Sequence, residues 1–320
     1  MPLIRMAIAA MIVVLTLVGT QAPAGDGPVR IVIPYPAGGA GDATARMLAE
    51  SMRSSLQRPV IVENKPGAAG RLGVQAVKEA AADGSVLLFT PIAPMAVFPH
   101  VYDKLGYDPV ADFLPVAQVA AFDLGVAVGA NVPAKSLEEL VAWLKKNPDL
   151  ATYGSPAAGS LPHFFAVLFG RTANVELRHV AYKGNPQAVA DLIGGHLPIF
   201  FTSTPDLVEQ HKAGRIRVLA TSGPQRSDFL PDVPTFAEAG YRIRGGGWYA
   251  VYVPARTPAD VVARLNAAIV SAMRSPEIKS RVAALGLRPT GTSGAELAAI
   301  QKADSDMWGP VIKTSGFKPD

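Results

Sequence analysis

The 320-residue chain contains no cysteine. That absence excludes disulfides, thiolate nucleophiles, sulfur ligands for a metal and a lipid anchor on an N-terminal Cys. Charge is sparse as well, at 18% Asp, Glu, Lys and Arg with a formal net charge of +4. The basic residues form no cluster resembling a nucleic-acid footprint, so no nucleic-acid partner is expected. Past residue 18 no apolar run is long enough for a membrane-spanning helix. The five histidines (His100, His163, His179, His196 and His211) show neither H-E-x-x-H nor any paired ligand spacing, so no metal and no cofactor are expected. What the chain does have is apolar mass, 49% of its residues. That is ample for a packed core, and the length fits one large domain or two medium ones.

The N-terminus carries an address. Arg5 precedes an apolar run over residues 6–18, and Ala22-Pro23-Ala24 supplies small residues where a signal peptidase cuts. This reads as a secretory signal peptide over 1–24, cleaved after about Ala24, with an uncleaved anchor as the alternative. An exported chain of this size without disulfides fits a soluble protein of the bacterial periplasm.

Beyond the leader the pattern alternates. A strand over 29–33, a helix over 43–56 with Asp42 as its N-cap, a strand over 59–63, a helix reaching residue 80 and a strand over 86–90 make a βαβαβ unit with a parallel sheet. Residues 91–121 show prolines and little periodicity. A second set follows, with strands over 124–128, 151–154, 177–182, 198–202 and 216–221. Its helices are expected over 137–146 (capped by Ser136), 162–170, 186–193 and 205–212. After a loop over 224–234 come a strand over 248–253, helices over 258–273 and 276–285, and a short one over 295–302. The expected class is α/β with two lobes and a ligand cleft between them, beyond the carboxyl ends of the strands.

The stretch "PYPAGGAGDATAR" (34–46) joins the first strand to the first helix. A phosphate loop would require G-x-x-x-x-G-K-[ST], and no Lys stands there. A dinucleotide fingerprint is approached by Gly39-Ala40-Gly41 with Glu63 ending the next strand, but Thr44 and Asp42 fit it poorly. A carboxylate site suits the residues better, because glycines let an anion approach the free amides at a helix N-terminus. The plain alternative is a tight turn capped by Asp42. "YGSPAAGS" (153–160) echoes this turn in the second half with hydroxyls in place of the acid.

In their order along the chain these motifs resemble the Bug family of periplasmic solute receptors, the extracytoplasmic subunits of tripartite tricarboxylate transporters. "IVIPYPAGGAGDATARMLAE", "PVIVENKPGAAG", "AADGSVLLFT" and "YDPVADFLPVAQVA" carry the resemblance in the first half. "SLEELVAWLKKNP", "YKGNPQAVADLIGGHLPIFF" and "AGRIRVLATSGPQRSDFLPDVPTFAEAGY" carry it in the second. The combination of V-E-N-K-P-G-A-x-G, Y-K-G and D-V-P-T-x-x-E-A-G is specific to that family.

The resemblance implies a type II, venus-flytrap binding protein without catalytic residues, in which two loops hold a ligand carboxylate. Carried onto this chain it nominates Tyr35, Ala37, Gly38, Gly39 and Asp42 from the first lobe. From the second it nominates Ser155, Gly159, Ser160, the Tyr182-Lys183-Gly184 turn, and Thr202 with Ser203. His163 joins the candidates from its own position, as a helix-start residue facing the cleft or packing under the loop. It implies a lobe over 25–123 plus 224–320, a second lobe over 124–223, a small organic carboxylate as ligand, membrane permease subunits as partners, and a monomer. Phe164 and Phe165 depart from the family pattern and would make one cleft wall more apolar. Trp248 and Tyr249 are read as core or cleft lining, and Lys183 as an anion attractor or a solvated turn residue. Two alternatives stand beside this reading. One is an exported serine hydrolase using Ser160 and His163, although neither Ser155 nor Ser160 lies in G-x-S-x-G. The other is a ligand-sensing receptor that docks on a membrane sensor kinase.

Overall fold

In the computed structural model, which describes residues 27–319, the first strand β1 (Val29–Ile33) splits its side chains between two cores. Val29, Ile31 and Ile33 enter one apolar cluster and Val32 enters another on the opposite face, as the two-residue period of a strand requires. The leader expected over 1–24, with its cleavage point, lies outside the described residues. Helix α1 (Ala40–Leu56) lays Ala45, Leu48, Ala49 and Met52 against the first of these clusters at helical spacing. Strand β2 (Val60–Asn64), helix α2 (Arg71–Lys78) and strand β3 (Val86–Pro91) complete the expected βαβαβ unit. β1 lies between β2 and β3, parallel to both.

The stretch 91–121 departs from expectation. A π-turn at Ala93–Val97 and a 3-10 turn at Phe98–His100 lead to strand β4 (Phe113–Val128), 16 residues long. Only its last third was legible as a strand. Pro115 masks the rest, because a proline inside a sheet needs a bulge, and the register of β4 does shift between Pro115 and Ala117.

Helix α3 (Leu137–Lys146) begins where Ser136 Oγ accepts the Glu139 amide at 3.1 Å. Strand β5 (Thr152–Ser155), helix α4 (Leu161–Ala173), strand β6 (Arg178–Ala181), helix α5 (Asn185–Ile193) and strand β7 (Ile199–Ser203) follow in alternation. The helix expected over 205–212 is a 3-10 turn (Thr204–Asp206) and then helix α6 (Val208–Lys212). Strand β8 (Arg217–Thr221), strand β9 (Gly246–Pro254), helix α7 (Ala259–Arg274) and helix α8 (Pro276–Ala284) come next. The short strand β10 (Arg288–Pro289) has no counterpart in the sequence reading. Helix α9 (Gly294–Ser315) runs well past the expected 295–302 and passes through Pro310. The lost hydrogen bond at Pro310 is outweighed by packing, since Trp308 and Ile312 on the same helix are buried.

The strands run in the order β2-β1-β3-β9-β4-β7-β5-β6, with β8 and β10 also paired to β4. Up to Asp123, β4 pairs with β9 and β10; from Leu124 onward it pairs with β7 and β8. One strand therefore serves both lobes of a venus-flytrap α/β protein. Among the described residues no helix is long and apolar enough to cross a membrane.

Candidate functional site

Three helices start at one cavity of about 310 Å³. Its wall includes Gly39 at the N-cap of α1, Ser160 at the N-cap of α4, and Asn185 as the first residue of α5. The first-turn amides of a helix have no partner within the helix, and the aligned peptide dipoles leave this end positive. Three such ends around one space create a setting for an anion.

The glycine turn is built differently from expectation. Helix α1 starts at Ala40, and Gly39, not Asp42, is the N-cap. Asp42 is the third residue of the helix, in its first turn, where its Oδ2 accepts the Gly38 amide at 3.1 Å and Arg46 Nε at 3.0 Å. Its Oδ1 accepts Arg46 Nη2 and Asn64 Nδ2, each at 3.0 Å. Burial pushes this carboxyl up, but the hydrogen bonds from Arg46, Asn64 and Gly38 outweigh it and hold Asp42 below its ordinary range. Both oxygens are thus engaged in fixing the turn. Gly38 needs a glycine for its φ of +101°. At Gly41 an added Cβ would meet the Tyr249 ring at 2.7 Å. The third glycine makes room for an aromatic side chain rather than for a ligand.

Of the nominated residues, Tyr35, Gly39, Asp42, Ser160, Thr202 and Ser203 line the cavity together. Gly38 lies on a neighbouring groove that shares Gly39 with it. Ala37 and Lys183 are exposed away from the wall. Tyr182 turns its hydroxyl to Asp191 Oδ2 at 2.9 Å, and the Gly184 amide is bonded to the Pro156 carbonyl. Ser155, Gly159 and His163 sit beneath the second-lobe loop. His163 Nδ1 accepts the Gly159 amide at 3.0 Å, and its ring stacks on His179 with centroids 4.0 Å apart. His179 Nε2 lies 2.7 Å from Ser155 Oγ, whose own proton goes to the Ala157 carbonyl. Burial, with the neighbouring His179 for His163, lowers both imidazoles to about 4.

The serine–histidine pair of the hydrolase alternative is not assembled side chain to side chain. Ser160 Oγ donates to the Ala157 carbonyl at 2.7 Å and accepts the His163 backbone amide, while the His163 ring is turned to Gly159. Phe164 and Phe165 do not form a cleft wall either. Both are fully buried, packed with Phe317 and with Phe201, Phe236 and Trp308 respectively. Trp248 is buried away from the cavity and donates its indole N–H to Asp304 at 2.7 Å.

Tyr249, read as core or cleft lining, lines the cavity, and sequence reasoning missed the rest of that wall and one polar group. Phe89, Phe122 and Tyr249 form an aromatic side, with Phe89 and Tyr249 stacked at 5.6 Å and Phe122 tilted against Tyr249 at 5.3 Å. Phe122 was hidden with the rest of β4. Asn185 was passed over although it follows the noted Y-K-G turn, and its position at a helix start was the available signal. Its Oδ1 accepts the Thr202 hydroxyl at 2.8 Å, and its side-chain NH₂ is turned to the Asp206 carboxylate. The hydroxyl protons of Ser160, Thr202 and Ser203 go to Ala157 O, Asn185 Oδ1 and Asp206. Pro162 and Pro186 carry no N–H and the His163 amide is taken by Ser160, so the donors left for an anion are the remaining first-turn amides.

The family model described as "Tripartite tricarboxylate transporter family receptor" matches residues 44–317. Protein BugT of Bordetella pertussis is 31% identical over 293 residues, spanning 91% of this chain and 90% of BugT. The structure of the periplasmic binding protein BugD superposes with a TM-score of 0.81 at 30% identity, covering 92% of this chain and 100% of BugD. The R. palustris protein Rpa4515, solved with adipate, has a TM-score of 0.83 at 29% identity and covers 92% of this chain and 98% of its own.

Proposed function

The chain belongs to the tripartite tricarboxylate transporter receptor family of Bug-type solute-binding proteins, and from that premise we propose that it captures a small organic carboxylate in the periplasm and presents it to the permease subunits of such a transporter. The observation that carries the carboxylate is the meeting of the α1, α4 and α5 N-termini at one cavity. Rpa4515, of the same fold and bound to adipate, supports the same ligand chemistry.

The carboxylate sits on the free amides of these helix starts, with Tyr35, Gly39, Ser160, Thr202 and Ser203 shaping its surroundings. Asp42 holds the first loop in place. The two lobes are 25–123 plus 224–320 and 124–223, and the mature chain begins after about Ala24. A ligand that touches both lobes only when they are closed drives the closure, because only that state gains its full binding energy. The protein works as a monomer and performs no chemistry on its ligand.

The test is thermal unfolding of the mature, ligand-stripped protein against small carboxylates and their primary amides. A ligand at a hundred times its Kd adds about 2.7 kcal/mol and raises the midpoint visibly. Stabilisation by an acid and not by its amide supports the proposal; a folded, empty protein that responds to no acid contradicts it. Capture of the permease subunits on the immobilised, loaded protein separates transport from sensing.

A further inference from the structure

The cavity holds its polar and apolar features at different places, and that division restricts the ligand beyond the presence of a carboxylate. The anion donors are grouped at the helix starts of α1, α4 and α5. The first lobe contributes the Phe89–Tyr249–Phe122 wall, and Leu124 and Leu161 add to the apolar lining. An aromatic wall of this kind favours a flat, apolar body, because ring-on-ring contact adds to the burial of area.

No Lys or Arg lines the cavity among the described residues, and Arg46, beside it, is turned to Asp42 and Asn64. Asp206 lies on the neighbouring groove, takes hydrogen bonds from Ser203, Thr202 and Asn185, and is pushed up by burial. The polar side of the cavity is thus made of neutral donors, and what distinguishes one acid from another is the apolar side. Volume restricts the ligand as well, since about 310 Å³ lies at the small end of ligand sites.

We propose that the ligand carries its carboxylate on a ring-sized, planar apolar body, with Phe122 and Tyr249 selecting the ring. This rests on the carboxylate-receptor reading and narrows it. Both rings lie on a glycine, but Phe122 packs on Gly247 of β9 whereas Tyr249 packs on Gly41 in the first turn of α1, so Phe122 is probed to leave that helix start intact.

The experiment is calorimetric titration of the ligand-stripped mature protein with benzoate, phenylacetate, adipate and citrate. A ring monocarboxylate is expected to bind at least about tenfold more tightly than adipate or citrate. Phe122→Leu is expected to weaken the ring acid about tenfold while leaving weak adipate binding as it was. Binding of adipate or citrate as tight as, or tighter than, both ring acids overturns this inference and leaves the carboxylate reading standing. Failure of every acid to bind overturns the carboxylate reading itself. Should Phe122→Leu fail to fold, the wild-type ranking of the four acids still decides.

Discussion

The Tyr249 ring lies so close to Gly41 that a Cβ at residue 41 would stand 2.7 Å from its Cε1. A residue of β9 thereby fixes the identity of a residue in the first turn of α1, more than two hundred positions earlier in the chain. The aromatic wall and the anion-facing helix start are one mechanical unit. Gly41→Ala is expected to push the ring toward the cavity and weaken ligand binding about tenfold, with little loss of helix content. Calorimetry and circular dichroism of the purified variant check it; unchanged affinity would mean that the ring moves away from the ligand space.

Asn185 ties the start of α5 to Thr202 and to Asp206. Asn185→Leu is therefore expected to loosen one of the anion-facing helix starts and to weaken binding about tenfold, whereas Thr202→Val, which keeps the bond from Asn185 to Asp206, has a smaller effect. Calorimetric titration of both variants checks the order; unchanged affinity in Asn185→Leu would show that this anchoring does not shape the site.

Phe164 supplies the converse. It is fully buried, so Phe164→Ala is expected to cost about 3–5 kcal/mol of stability. Urea unfolding measures that loss. Ligand affinity, measured on the folded fraction, stays within about threefold of wild type, whereas a large specific loss would return Phe164 to the cleft wall.

Much of this molecule was legible in its sequence, and the losses have physical causes. Strand and helix alternation revealed the α/β class, because both lobes bury one face of each helix on a sheet. Proline obscured the rest: Pro115 hid most of β4, and Pro310 concealed the second half of α9. In each case tertiary packing overrode a local preference. The site divides similarly. Tyr35, Gly39, Asp42, Ser160, Thr202 and Ser203 were named in advance and meet at the cavity. Phe89 and Phe122 could not be told from core residues, and Tyr249 stood open between core and cleft, since a cleft wall and a core face both read as aromatic positions on strands. His163 shows the opposite error, a polar residue in a promising loop whose ring is occupied with Gly159 and His179.

That histidine pair makes stability depend on pH. His163 and His179 are lowered to about 4 in the folded protein, below the ordinary 6.5 they regain on unfolding. Between these values the unfolded chain binds protons that the folded one does not, so stability falls as pH drops from about 6.5 toward 4. Urea midpoints at pH 7 and pH 5 are expected to show this decline, and the double variant His163→Gln/His179→Gln to flatten it. A slope unchanged in the double variant would assign the pH dependence to other groups.

The central claim is that three helix N-termini hold a carboxylate without the help of a cationic side chain. Its most direct measurement is calorimetric titration of the ligand-stripped protein with the best-bound acid and with the primary amide of that acid, repeated in high salt. The account predicts binding of the acid, at least about a hundredfold weaker binding of the amide, and an affinity that salt changes by less than about threefold, because the charge is buried against fixed dipoles. Equal binding of acid and amide would contradict it.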